Sequence, residues 1–538
     1  MIVTSFYRQV CLLGTGLPPF RWGRVSADSK GAAAVLSRLF CGALLACFIA
    51  GCSTAPSLPD KPLSYFDEIK PAASPLVTLS QSKTGSGVAL LADPEEALQS
   101  RLHLAELAQA TLDLQYYLWQ GDDSGLSLSH EVLAAGDRGV RVRILLDDIY
   151  HSGRDSAYQT LNSHPNVQVR LFNPMGNRGA ARMPNYALNK STLNYRMHNK
   201  IFLVDGAAAV LGGRNIGDEY FGRNPSFNFQ DMDAIAVGAV AQEAGAAFDL
   251  FWNSEFAIPV EALSQRGLKA IDQTQRERLS AARERVRSPD EEGSTSMAAQ
   301  SFLDELSKDL LWTTARIVVD RPDRGSDYPD SAFTAFTEDP ELTPSNTAVI
   351  QTAYLIPNGP MLGNLQGLSQ SGVDIRILTN SAASTNHGSV HAYYAKYRQQ
   401  LLTANIELYE VKGTGSLAAY LDRVGEDAHA GLHTKAMVVD DRLSVIGSYN
   451  MDPRSRVWNS EIALVVEDAG FAASVLQEME RDFSPEAAWR LSLDEKDSLV
   501  WTGESEGEAE QFSRDPGSSW WDRLLWRIIR ILPLENEL

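Results

Sequence analysis

A chain of 538 residues, 44% hydrophobic and 22% charged, is long enough for two or more domains with proper cores, and its composition excludes the fibrous and wholly disordered classes. Sixty-eight acidic against 48 basic residues leave a net charge of −20, which repels polyanions and disfavours nucleic acid as a partner. All four cysteines, Cys11, Cys41, Cys47 and Cys52, lie in the first 52 residues, so the rest of the chain carries neither a disulfide framework nor a cysteine metal site.

In chain order, Arg38 precedes an apolar run, Leu39 to Ala50, that is too short to span a bilayer and leads into Ile49-Ala50-Gly51-Cys52. This resembles a bacterial lipobox. The resemblance implies a signal peptide over 1–52, acylation of the Cys52 thiol, and a membrane-anchored lipoprotein of the cell envelope facing the periplasm. The Ser/Pro-rich stretch 53–75 reads as a flexible tether.

Residues 76–256 alternate strand and helix. TLDLQYYLW (111–119), VRVRILLDD after Gly139, and VQVRLFNP are strands by their β-forming residues, and SGLSLSHEVLAAGDRG (124–139) has helical spacing. Residues 257–345 are charged, helix-prone and then Pro/Asp-rich, and read as a connector with few strand signals. A second unit, 346–500, repeats the order: AVIQTAYLIP, VDIRILTN after Gly372, a helix from His391 to Leu402, IELYEV, and a strand holding His433. The tail 501–538 carries WWDRLLWRIIRILP, in which Arg523, Arg527 and Arg530 occupy one helical face and Trp521, Leu525, Ile528 and Leu532 another. That pattern suits either a membrane interface or docking on the protein's own core.

One pattern stands twice, 235 residues apart: His198-x-Lys200-x4-Asp205 and His433-x-Lys435-x4-Asp440. The same steps reach Gly212, Gly213 and Asn215 from His198, and Gly447, Ser448 and Asn450 from His433. The flanking Gly139 and Gly372 segments repeat at an offset of 233. Self-similarity at so long a period means two domain-sized copies of one fold, since solenoid units repeat every few tens of residues. The expected architecture is α/β, two tandem units each with a mixed sheet flanked by helices, packed face to face around one active site.

In each copy the His and the Lys two residues later would share one face of a strand, and the Gly-rich return would bring the Asn beside them. Two imidazoles, two ammonium groups and two amides suit the anion that develops when a phosphodiester is attacked. Lys and Asn donors stabilise it, one His attacks phosphorus, and the other protonates the leaving alcohol and deprotonates the acceptor. Such a cycle calls for no metal and no cofactor. His103, His130, His151, His164, His387 and His429 have no repeated context, while His391 with Tyr394 is a further candidate for the pocket lining.

These residues resemble the phospholipase D superfamily, whose HKD motif stands here twice. The resemblance implies His198, Lys200, Asn215, His433, Lys435 and Asn450 as the catalytic set, with His198 as nucleophile and His433 as acid and base. It implies supporting roles for Gly213, Ser448, the structural Asp205 and Asp440, and a later carboxylate that orients each His. Glu461, 11 residues after Asn450, is one such carboxylate, and aligning DAIAV with EIALV puts Asp233 opposite it. The stretches LDLQYYLWQGDDSG, DRGVRVRILLDD, HPNVQVRLFNP, RMHNKIFLVDGAAAVLGGRNIGDEYFG and HAYYAKYRQQLL are similar to the bacterial cardiolipin synthase branch, type C, over roughly 90–490. The implied activity is transfer of a phosphatidyl group from a donor phospholipid to phosphatidylglycerol, with hydrolysis of phospholipids, or of nucleic-acid phosphodiesters, as alternatives. Membrane contact would come through Cys52 and the C-terminal helix.

Overall fold

The computed structural model describes residues 61–71, 74–81, 83–151, 153–179, 182–263, 270–287, 295–323, 339–340, 342–413 and 429–538. The expected signal peptide with its Cys52, and the first part of the tether, lie outside the described residues. From Lys61 the chain is bound rather than free. The Ser64 and Phe66 N–H groups donate to the Asn253 and Asp249 side chains at 3.1 and 2.8 Å, and Arg143 donates to the Ser64 carbonyl at 2.8 Å. The tether expected as far as residue 75 is corrected accordingly, because these side chains take up its backbone groups.

The first half supplies β1 (Ser86–Leu91), β2 (Thr111–Tyr116), β3 (Arg141–Asp147), β4 (Val167–Phe172), β5 (Arg196–Met197), β6 (Ile201–Val204), β7 (Ala208–Gly212), β8 (Phe227–Gln230) and β9 (Asp233–Gly238). In the main sheet β2, β3 and β4 run parallel and β6, β7, β9 and β1 pair antiparallel, in the spatial order β4-β3-β2-β6-β7-β9-β1. A short β10 (Ala257–Pro259) caps the β4 edge. The second half supplies β11 (Leu311–Val319), β12 (Thr347–Thr352), β13 (Asp374–Asn380), β14 (Glu407–Val411), β15 (His429–Leu432), β16 (Lys435–Val439), β17 (Leu443–Gly447), β18 (Asn459–Ser460) and β19 (Ile462–Glu467). Its order is β14-β13-β12-β16-β17-β19-β11, position for position that of the first half.

Strand β11 falls within the stretch expected to be a connector with few strand signals. It stands to β19 as β1 stands to β9, and its first residues pair with β1, so the two half-sheets are continuous through it. The alternating Thr, Ala, Ile and Val of this segment suit a half-buried strand, but charged helical flanks hide it. The tail also departs from expectation. Strands β20 (Ala488–Leu493), β21 (Leu499–Ser505) and β22 (Glu508–Phe512) extend the β14 edge before the last helix begins.

Helices pack on both faces of each half-sheet. In the first half these are α1 (Pro94–Leu107), started by Pro94 and the Asp93 cap, and α2 (Asp123–Asp137), capped by Asp122. Short α3 (Arg182–Leu188) lies in the β4–β5 connection, and α4 (Ala239–Trp252) follows β9. In the second half, α5 (Pro360–Gln370) makes the β12–β13 crossover. The single helix expected from His391 is α6 (Gly388–Tyr394) followed by a separate turn of helix, Arg398–Thr403. Then α7 (Ala469–Asp482) follows β19, and α8 (Trp520–Ile529) ends the chain. The side chains alternate as the strand period requires. Phe202 and Val204 face the α1/α2 layer, whereas Leu203, Ala209, Leu211 and Ala234 meet Ala436, Val438, Ile446 and Leu464 of the other half in one shared core.

Candidate active site

Both histidines lie in breaks between strands, a correction to the expectation that His and Lys share one strand. Before each histidine the chain pairs with the other half: β5 with β18, and β15 with β8. After it, the chain joins its own sheet as β6 or β16. The backbone makes the switch at the histidine itself, with the His198 N–H donating to Ser460 O at 2.9 Å and the His433 N–H to Gln230 O at 2.7 Å.

That pairing carries each histidine to a carboxylate of the opposite repeat. His198 Nδ1 lies 2.8 Å from Glu461 Oε2, and His433 Nδ1 lies 2.5 Å from Asp231 Oδ2. Glu461 is itself held by donors from Ser448, from Ser455 at 2.9 Å and from Asn459 at 3.3 Å. With Nδ1–H donated to a carboxylate, each imidazole has the tautomer whose Nε2 carries the lone pair.

Asp233 does not face a histidine. It is fully buried against Arg101 at 2.8 Å and Arg214 at 3.3 Å, an ion cluster of the first half. The hairpin registers explain the difference. Gly212 pairs with Asp233 and Gly447 with Ala463, so the counterpart of Asp233 is Ala463, and Glu461 corresponds to Asp231. Asp231 escaped the sequence reading because the DAIAV/EIALV match is two residues out of this register.

The lysines return to the histidine backbones: Lys200 Nζ donates to His198 O at 2.6 Å, and Lys435 Nζ to His433 O. All four side chains are buried. Burial, then Lys200, Lys435 and Arg454, hold the His198 imidazole well below the usual histidine range. Burial first, then Lys435 and, more weakly, Lys200 push His433 down to about 3, against the pull of Asp231. Burial lowers Lys200 to about 7 and Lys435 to about 8, while the nearby carboxylates Glu461 and Asp231 draw both back up. Each histidine therefore feels the lysines of both halves, and both imidazoles are neutral near pH 7.

The amides follow the hairpins. Asn215 Oδ1 accepts from the Leu118 N–H at 3.2 Å, while Asn450 is buried and its Oδ1 has no hydrogen-bond partner among the described residues. Gly213 sits where a Cβ would lie 2.1 Å from Asp231 Oδ1, so this carboxylate approaches the backbone closely. Its counterpart Ser448 instead donates its hydroxyl to Glu461.

Asp205 and Asp440 lie away from the histidines, each at a hairpin turn with positive φ, +53° and +52°. Asp205 accepts the N–H groups of Gln109, Ala110 and Thr111, and Asp440 those of Ser345, Asn346 and Thr347. They pin the start of β2 and of β12 to the β6–β7 and β16–β17 turns.

Aromatic rings that the sequence did not single out wall the histidines. Tyr117 meets His198 edge-on at 4.8 Å between centroids, and Tyr220 and Phe229 meet His433 at 5.2 and 5.0 Å. His391 does not line this pocket. It packs on Trp526 at 4.7 Å and bonds Arg398 and Asp515, and so anchors the C-terminal segment.

Known proteins place this arrangement. The family profile described as "Cardiolipin synthase, PLD-like domain" matches residues 102–252 and 343–483. The chain is 34% identical to cardiolipin synthase C of Escherichia coli, over 86% of this chain and 98% of that protein. It is 30% identical to an uncharacterized protein of Helicobacter pylori over 89% and 95% of the two chains. Among solved structures it is similar to phosphatidylserine synthase of Haemophilus influenzae, with a TM-score of 0.53 at 14% identity, covering 84% of this chain and 95% of that one, a likeness of fold. With both halves matched and the relation extending over most of its length, the chain belongs to the cardiolipin synthase family of phospholipase D-like proteins.

Proposed function

We propose that this protein is a phosphatidyltransferase of the cardiolipin synthase type. The observation that carries the reading is the crossed pair of His–carboxylate contacts, which sets two neutral imidazoles among two lysines. His198 Nε2 attacks the phosphorus of a donor phospholipid. The bond to the headgroup oxygen breaks as that oxygen takes a proton from the charged His433, and a phosphatidyl-histidine remains. His433 then removes a proton from a glycerol hydroxyl of phosphatidylglycerol; the new P–O bond forms and the P–N bond breaks. Lys200, Lys435 and the two asparagines stabilise the phosphoryl oxygens. The neutral state of His433 suits the second step directly. For the first it must be charged, and a phosphate entering between the lysines offsets their repulsion and favours that charge.

Docking on a bilayer is part of the proposal. Helix α8 rests on α6 through Trp526 and Arg530, whose guanidinium donates to Ala392 O, and leaves Trp521, Leu525 and Ile528 exposed beside Arg527. The chain end then ties both halves together, since Asn194 donates to Glu537 and the Arg454 N–H to Leu538 O. Exposed Tyr150, itself against Tyr117 and so near His198, and Met183 and Leu188 of α3 add apolar surface in the first half. Exposed Trp, Leu and Ile side chains on one helix with arginine beside them suit an anionic lipid surface. Among the described residues no helix is long and apolar enough to cross a membrane. Acylation at Cys52, with the site facing the periplasm, completes this reading.

The deciding experiment is lipid analysis of cells that lack other cardiolipin-making enzymes, with and without this chain. Cardiolipin should appear with the wild-type chain and be absent with His198→Ala. Phosphatidic acid in its place would replace transfer by hydrolysis. For the membrane, Trp521→Glu, Leu525→Glu and Ile528→Glu, all at exposed positions, combined with Cys52→Ala should yield a soluble protein, and pelleting of that variant with vesicles at high salt would overturn the docking.

A further inference from the structure

The two halves match at the catalytic positions and differ just behind them. In the first half, the outer face beside β9 is filled by α1. Leu98 and Leu102 are fully buried there, and Arg101 reaches Asp233, which Arg214 also bonds. In the second half the counterpart of Asp233 is Ala463, and by motif spacing that of Arg214 is Tyr449. Where the first half holds an ion cluster, the second holds a cavity of about 140 Å³.

The cavity is lined mostly by apolar side chains. Ala348, Ile350, Met437 and Ala463 form its floor on the sheet, and Met361 and Leu365 of α5 form its roof. Its polar lining residues are Gln351, Thr352, Asn364, Lys435 and Tyr449. Lys435 and Thr352, both buried, are paired across β16 and β12 at the catalytic end, and Asn364 of α5 is exposed. A mostly apolar cavity that meets a phosphate-binding ammonium group fits a long-chain phosphate ester better than a free phosphate or a sugar phosphate.

We propose that this cavity takes one acyl chain of the phospholipid whose phosphate lies against Lys435, so that the second half selects for lipid chain while both halves share the chemistry. The inference rests on the phosphatidyltransferase reading. Each methylene entering the cavity should improve affinity about fourfold, the equivalent of ~0.8 kcal/mol per buried CH₂, until the cavity is full.

The test uses the full chain and two readouts. With phosphatidylglycerols of four to eight carbons per chain, kept below micelle formation, kcat/KM should climb with chain length. Leu365→Trp, which fills the roof, should flatten that climb at least tenfold across the series, and Leu365→Ala should extend it to longer chains; thermal midpoints are measured alongside. Separately, wild-type protein is irradiated with a phosphatidylglycerol carrying a diazirine near the middle of its acyl chain, and labelled peptides are sequenced. Label on Met361, Leu365 or Met437 is expected, whether or not the lipid is turned over, so this readout survives failure of the transferase reading. Turnover of phosphatidylglycerol with no dependence on chain length, label confined to 520–532, or no label on either segment would overturn the acyl-chain site while leaving that reading intact.

Discussion

His198 and His433 depend on carboxylates that the sequence puts in the other repeat, and their variants should behave as one unit. His198→Ala and His433→Ala should each lower turnover by several orders of magnitude. More than about a tenth of wild-type activity in either would sink a two-histidine mechanism. The aspartates two residues apart should separate cleanly. Asp231→Asn removes the acceptor that orients His433 and should lower kcat by roughly 10²- to 10⁴-fold with little loss of stability. Asp233→Asn leaves Arg101 buried without its partner charge and should instead cost about 3–5 kcal/mol in urea unfolding. The lysines make a pH prediction with two signs. Their folded pKa values lie below those of the unfolded chain, so between about pH 7 and 10 the unfolded state binds more protons and stability rises with pH. Over the same window the ammonium charge is lost and phosphate affinity should fall. A Lys200→Met, Lys435→Met double variant should flatten both curves, read by urea unfolding and by titration with inorganic phosphate; a wild-type stability curve no steeper than the variant's would refute the buried-lysine account.

At the scale of elements, the hairpin carries more of the motif than its histidine does. The motif aspartate stays far from chemistry and holds a β-turn to a neighbouring strand, twice, with the same three-donor arrangement. Asp205→Ala should destabilise the protein by at least about 2 kcal/mol, since it leaves buried N–H groups unmet and asks alanine for a left-handed backbone. Asp205→Asn keeps an acceptor and tolerates that backbone, so it should lose less, and equal losses in denaturant melts would contradict the stapling role. The strands of the two halves were legible because Val, Ile and Leu runs recur with their turn residues. Strand β11 was not, since nothing local distinguishes a strand that bridges two sheets from an apolar patch in a charged linker. Helix α8 was legible as amphipathic from its Arg and Trp/Leu spacing, but that spacing left open which side would dock. The structure seats Trp526 on His391, a residue the sequence had offered to the pocket.

As a whole molecule, the protein builds its site from both halves of one chain, and the shared core of β6, β7, β9, β16, β17 and β19 keeps them face to face. Mixing the His198→Ala and His433→Ala proteins should therefore restore no activity. Recovery in the mixture would show that halves exchange between chains.

The duplicated His, Lys, Asn and Asp spacing by itself determined that the chain holds two copies of one unit and which residues repeat, because spacing through a hairpin is local geometry; the alternation of strand and helix patterns gave the α/β class, and the motif's resemblance to the phospholipase D superfamily gave the family. What only the tertiary structure decided is who faces whom. The carboxylate partner of each histidine lies some two hundred residues away in the other half, 263 for His198 and 202 for His433. Its choice between Asp231 and Asp233 turns on hairpin register and on the strand switch at the histidine. Neither leaves a signal within one repeat, since both are set by how the two sheets pack.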